Sequence, residues 1–103
     1  MHIILRTSSF KQRFYKIIPK NLQGDIERRI LKLSENPRNG KPLGDSLWEI
    51  KAGKFRIYYI IFESEVVVLF VDVSDKKNQQ DTINTLKNTD FKNIIENYKN
   101  SDK

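Results

Sequence analysis

The sequence predicts an α+β fold, with an antiparallel helical hairpin on one face of a mainly antiparallel four-stranded sheet and a helix at the C-terminal end. Three observations predict it. Phe55–Phe62 and residues 66–73 are aromatic and β-branched runs joined by Glu63-Ser64-Glu65, the composition of paired strands. Leu47–Ala52, set off by Gly53-Lys54, supplies a third antiparallel strand in front of them. Upstream, apolar residues recur at helical spacing over residues 10–18 and 22–33, so two helices precede this meander.

Taken in order, residues 2–6 alternate as a short N-terminal strand, the fourth of the sheet. Thr7-Ser8-Ser9 offers hydroxyls to cap a helix carrying Phe10, Phe14, Ile17 and Ile18, and Pro19 ends it because it cannot continue the ladder. Asn21 is placed to cap a second helix with Leu22, Ile26, Ile30 and Leu33 inside. Asp25, Glu27, Arg28, Arg29 and Lys32 fill its outer surface. Asn36-Pro37 stops that helix, and residues 38–42 form a turn-rich connection. After the meander, a polar run over residues 74–82 leads into a helix through Ile83 and Leu86. Residues 90–98 carry an apolar stripe of Phe91, Ile94, Ile95 and Tyr98 that either docks on the domain, the default for an amphipathic terminal helix, or is left for a partner, and the tail from residue 100 is expected to fray.

At 103 residues the chain makes one domain, 1–103, with a core over 2–87 and a helical extension over 88–103. Nineteen Lys and Arg against 13 Asp and Glu give a net charge of +6, which favours a polyanionic or acidic partner. With no cysteine and a single histidine, His2, the chain offers neither disulfides nor a thiolate or imidazole metal site. No apolar run is long enough to span a bilayer, and the start MHIILRTSS has no signal-peptide pattern, so a cytoplasmic protein without a membrane partner is expected.

Alternation along the strands carries the functional expectation. Phe55, Ile57, Tyr59 and Ile61 share one side, the core; Lys54, Arg56, Tyr58 and Ile60 share the other. Lys51 precedes the Gly53-Lys54 turn, and Lys76 and Lys77 follow the last strand. These cations are expected to converge on one end of the sheet, as a site for phosphate.

The strand, helical hairpin, NPxxGKPL loop, LWEIKAGKFRIYY and VVLFVDVSDKKNQQDTI, in that order, resemble the RelE/ParE superfamily of toxins from toxin–antitoxin pairs over about residues 3–86. The last piece is most similar to its HigB-like, addiction-module killer branch. The resemblance implies an endoribonuclease that needs no cofactor, acts on mRNA at the ribosome to inhibit translation, and is silenced by a cognate antitoxin. Any operator DNA would be met only through the antitoxin complex. By position, Arg56 matches the arginine that the RelE branch uses on the scissile phosphate, Lys76 a second phosphate-binding cation, and Lys51 a general acid. Lys54, Tyr58, Lys77 and Gln79 are candidate RNA contacts, with Tyr58 stacking on a base. Glu49 stands where that branch carries a lysine, and is a candidate base. The branch's tyrosine after the last strand has no counterpart before Tyr98. A gyrase-binding ParE-like toxin that cuts no RNA, and an inactive member, are the alternatives.

Overall fold

The computed structural model describes residues 1–101, with side chains through Tyr98. Asp102 and Lys103, part of the tail expected to fray, lie outside the described residues. The element order is β1 (Ile3–Arg6), α1 (Ser8–Ile17), α2 (Lys20–Lys32), β2 (Lys41–Gly44), β3 (Leu47–Ala52), β4 (Phe55–Phe62), β5 (Val67–Asp75), α3 (Gln79–Lys87) and α4 (Lys92–Ser101). The strands form one five-stranded sheet in the order β1-β5-β4-β3-β2, parallel between β1 and β5 and antiparallel elsewhere.

Local chemistry accounts for most boundaries. Thr7 caps α1, its hydroxyl accepting from the Phe10 amide at 3.0 Å. Pro19, not Asn21, occupies the capping position of α2, where its missing N–H costs nothing because the first-turn amides have no helical partner anyway. The fifth strand, β2, lies within what reads as a connection. Lys41-Pro42-Leu43-Gly44 is a poor strand by composition, yet an edge strand tolerates proline. The hairpin turn after it holds Asp45 and Ser46 at positive φ, as a two-residue hairpin connection requires. Strand β5 begins one residue later than its composition suggests, because Val66 lies in the left-handed region at φ 57° and belongs to the turn.

Both faces of the sheet are covered. On one, Phe10 and Phe14 of α1 and Ile26 and Ile30 of α2 pack with Ile57, Tyr59 and Phe70. On the other, Ile83 and Leu86 of α3 and Ile95 of α4 pack with Leu47, Tyr58, Leu69 and Val71. Of the expected α4 stripe, Ile95 is buried and Phe91 and Tyr98 pack against this cluster, whereas Ile94 is exposed. A β-bulge between Tyr58 and Tyr59 adds a residue to β5, so Val71 and Asp72 turn to the same face. Downstream of it Ser74 comes opposite Arg56 and Asp72 opposite Tyr58. Strict alternation from Val67 would have placed Val73 there and turned Ser74 into the first core. No helix of the described residues is long and apolar enough to cross a membrane.

Candidate nucleic-acid site

The end of the sheet where β3 turns into β4 and β5 runs out gathers the cations expected to act together. Lys51 is the cross-strand partner of Arg56, and Arg56 is the partner of Ser74, so the three form one row across β3, β4 and β5. The turn at Gly53, φ 61°, brings Lys54 beside the start of the 3-10 turn over Lys76–Asn78, whose Lys76 amide donates to the Lys54 carbonyl at 2.7 Å. Lys51, Lys54, Lys76 and Lys77 are all exposed there. The Lys54 ammonium sits 5.5 Å from the centroid of the Phe55 ring. Asp75 closes the 3-10 turn by accepting from the Asn78 amide at 2.9 Å; that hydrogen bond, with Lys77 and Lys54 nearby, holds its carboxyl below the usual range.

Beneath the lysines the structure places a buried polar layer that alternation alone does not foretell. Arg56 is only 5% exposed, and its Nη1 donates to the carbonyl oxygens of Gly53 at 2.8 Å and Phe55 at 2.9 Å. Glu49 is 1% exposed; its Oε2 accepts from Gln79 Nε2 at 2.7 Å, and its Oε1 faces Arg56 Nε at 3.9 Å. That last separation is an ion pair without a hydrogen bond, and both atoms are otherwise unpartnered. Tyr58 has no exposed surface, and its hydroxyl shares a 2.8 Å hydrogen bond with Ser74. Burial raises the Tyr58 pKa, so the hydroxyl stays neutral and can act as donor in this layer.

Four of the expected site residues lie in or against this layer, in surroundings that differ from the solvent-facing positions expected. Tyr58 cannot stack on a base, because α3 and α4 cover its face of the sheet. Glu49 is sealed from solvent and engaged by Gln79, so it cannot reach a ribose hydroxyl; Gln79 is turned inward onto Glu49. Arg56 lies beneath the lysine-bearing turn with its Nη1 engaged by the Gly53 and Phe55 carbonyls and its Nε 3.9 Å from Glu49. Ser74 is the layer's unforeseen member, and its only signal in the sequence is a lone hydroxyl in an apolar strand.

A groove of about 480 Å³ adjoins this end, where β2 begins only at Lys41 and leaves the outer edge of β3 past Glu49 without a strand partner among the described residues. Arg29 and Lys32 of α2, Lys41 and Lys51 line it, above the buried Leu33 and Ile50. Tyr59 holds its rim: the hydroxyl donates to the Pro37 carbonyl at 2.7 Å and accepts from the Gly40 amide at 3.1 Å. Burial pushes that hydroxyl up to about 12.

A family model described as the ParE toxin of type II toxin–antitoxin system, parDE, matches residues 4–80. No curated protein sequence matches the chain. Among solved structures, the intact Escherichia coli RelBE toxin–antitoxin complex aligns with TM-score 0.64 and 16% identity, over 73% of this chain and 96% of that one. The RelBE2 toxin–antitoxin complex of Mycobacterium tuberculosis aligns with TM-score 0.63 and 22% identity, over 72% and 96%. The RelB–RelE complex of Methanococcus jannaschii aligns with TM-score 0.61 and 18% identity, over 76% and 96%. At these identities the likeness is one of fold, whereas the family model spans most of the chain. The protein therefore belongs to the RelE/ParE superfamily, as a ParE-family toxin of a type II toxin–antitoxin system.

Proposed function

We propose that this toxin cleaves RNA at the cationic end of its sheet, acting on mRNA at the ribosome. The observation that carries the reading is the meeting of Lys51, Lys54, Lys76 and Lys77, exposed and from separate parts of the chain, over the Arg56–Glu49 layer. Cleavage of this kind uses the RNA's own 2′-hydroxyl. Its oxygen attacks the adjacent phosphorus, the P–O5′ bond breaks, and a 2′,3′-cyclic phosphate and a 5′-hydroxyl result. Ammonium groups suit two of the three tasks: neutralising charge that builds on the phosphoryl oxygens and giving a proton to the departing 5′-oxygen. Lys51 takes the second role and Lys76 the first, with Lys54 and Lys77 holding the flanking phosphates. Arg56 fixes the turn on which these depend. The third task, removing the 2′-hydroxyl proton, falls to solvent or the ribosome, since Glu49 is buried and Asp75 is held in its weakly basic, ionised form. The reading predicts slow cleavage of free RNA and fast cleavage on ribosomes.

The resemblance to toxins solved with RelB antitoxins supports a cognate antitoxin that silences this chain through an acidic, helix-bearing segment. Operator DNA is reached through that complex. A second reading is favoured by two observations, the ParE family model and the burial of Glu49 where the RelE branch has a lysine: a toxin that binds and inhibits DNA gyrase and cuts no RNA.

One experiment separates them. The purified toxin is incubated with translating ribosomes and, separately, with gyrase and supercoiled plasmid. New 5′-hydroxyl mRNA ends are expected, falling about a hundredfold in Lys51→Gln, the size of a general-acid contribution. Gyrase-dependent DNA breaks with the RNA intact would establish the second reading instead.

A further inference from the structure

The groove beside the cationic end is not used by the chemistry proposed above, apart from Lys51 at its border. Resting on the RNA-cleaving reading, we infer that this groove is a second phosphate-binding site, which carries the single strand of RNA leading away from the cleaved link. Arg29 and Lys32 stand three residues apart on α2, the spacing that puts side chains on one helical face with Cβ atoms about 5–6 Å apart. Lys41 is paired with Glu49, two residues from Lys51, which offsets the two lysines by about 7 Å along the strands. Four cations thus border one groove, two on the sheet edge and two on α2. Among the described residues, no salt bridge engages any of the four. Glu49, the one acid bordering the groove, turns its carboxylate to Gln79 and Arg56.

The site is also built. Gly40 is the only residue type that fits at the rim, since a Cβ there would fall on the Tyr59 hydroxyl and 2.7 Å from the Glu49 carbonyl oxygen. The Tyr59 hydrogen bonds fix the segment that presents Lys41. Among the described residues, no aromatic ring lines the groove. It therefore reads phosphate and not base identity. An acidic peptide is the competing occupant. Continuity with the lysine end through Lys51 favours RNA, because a strand held at Lys51 and Lys76 has to leave that end along charge.

The test compares the wild type with an Arg29→Gln/Lys32→Gln/Lys41→Gln variant, all three positions being exposed. The probe for binding is a short single-stranded 2′-O-methyl oligoribonucleotide, which cannot be cut. Loss of three phosphate contacts on a single strand lowers the slope of log affinity against log salt by about 2 and weakens binding about tenfold or more. With cleavable RNA the variant shows a raised KM and the wild-type single-turnover rate at saturation. An unchanged affinity and salt slope in a toxin that does cleave RNA overturns the inference and leaves the proposed activity standing. Loss of affinity for an acidic peptide alone, with oligonucleotide binding unchanged, also overturns it. Loss of oligonucleotide binding in the variant, where the wild type cuts nothing, supports the groove and overturns the proposed activity.

Discussion

Two edges of one sheet are left bare by short partner strands, and the molecule treats them in opposite ways. Strand β1 ends at Arg6, opposite Phe70, so β5 runs on uncovered. There the chain closes the edge with its own donors. The Thr7 amide donates to the Phe70 carbonyl at 3.0 Å, the Thr7 hydroxyl to the Val71 carbonyl at 3.4 Å, and Arg13 to the Val73 carbonyl through Nε at 3.2 Å and Nη2 at 3.0 Å. Strand β2 begins only at Lys41 and leaves β3 bare beyond Glu49 in the same manner, but there cations line the gap and, among the described residues, no strand fills it. Bare edges invite pairing with other chains, and proteins blunt them with charge or cover. Here cover marks the edge that holds the fold, and charge marks the edge beside the site. Removing the donor side chains should accordingly cost stability at the first edge, and removing the cations should cost activity at the second.

The largest expected effect is at Gly40, where rim and core touch. Gly40→Ala should destabilise by about 3 kcal/mol in urea unfolding, since backbone and the Tyr59 hydroxyl both stand in the way of the methyl group. A cost under half of that would mean that the rim is loose and Lys41 poorly placed.

At the closed edge, Arg13→Met should cost about 2 kcal/mol, allowing for the half-exposed position of Arg13. The loss includes the donors to Val73 and the 2.7 Å ion pair with Asp72. Its pH dependence is specific. Burial already pushes the Asp72 carboxyl up, against the opposing Val73 amide and Arg13. A carboxyl raised in the folded state contributes fully below its unfolded pKa and loses that contribution as pH rises through the folded value. Removing Arg13 raises it further, so the deficit of Arg13→Met should be greatest near neutral pH and shrink on acidification. A pH-independent deficit would assign the cost to the carbonyl bonds alone.

A smaller gain is expected at Val66, a β-branched residue in the left-handed region, exposed and just before the start of β5, at the opposite end of that strand from Val71–Val73. Val66→Asn should stabilise by about 1 kcal/mol with toxicity unchanged. Smallest of all, Lys32→Gln should alter stability by less than about 0.5 kcal/mol.

Much of this was legible in the residues. Thr7, Pro19, Gly53 and the aromatic runs set the helix and strand boundaries because each acts through its own backbone or its nearest neighbours. What was not legible depends on distant partners. Nothing near Tyr58 announces that α3 and α4 close over it, and a one-residue bulge, which exchanges the faces of Val73 and Ser74, leaves no mark in composition. Lys41-Pro42-Leu43-Gly44 pairs as a strand because β3 offers it an edge, against its own propensity. Arg29 and Lys32 were legible as the outer surface of a helix, but that this surface borders the bare edge of β3 is a fact of packing. Likewise the convergence of the lysines followed from strand order, whereas the sealing of Glu49 and Arg56 beneath them needed the position of Gln79.

The most direct measurement maps 5′-hydroxyl RNA ends in cells arrested by this toxin, beside cells expressing Lys51→Gln/Lys76→Gln at equal abundance. Abundant new ends within translated messages are expected for the unmodified chain, and growth without such ends for the variant. Arrested cells whose transcripts remain whole would contradict it, however well the lysines are gathered.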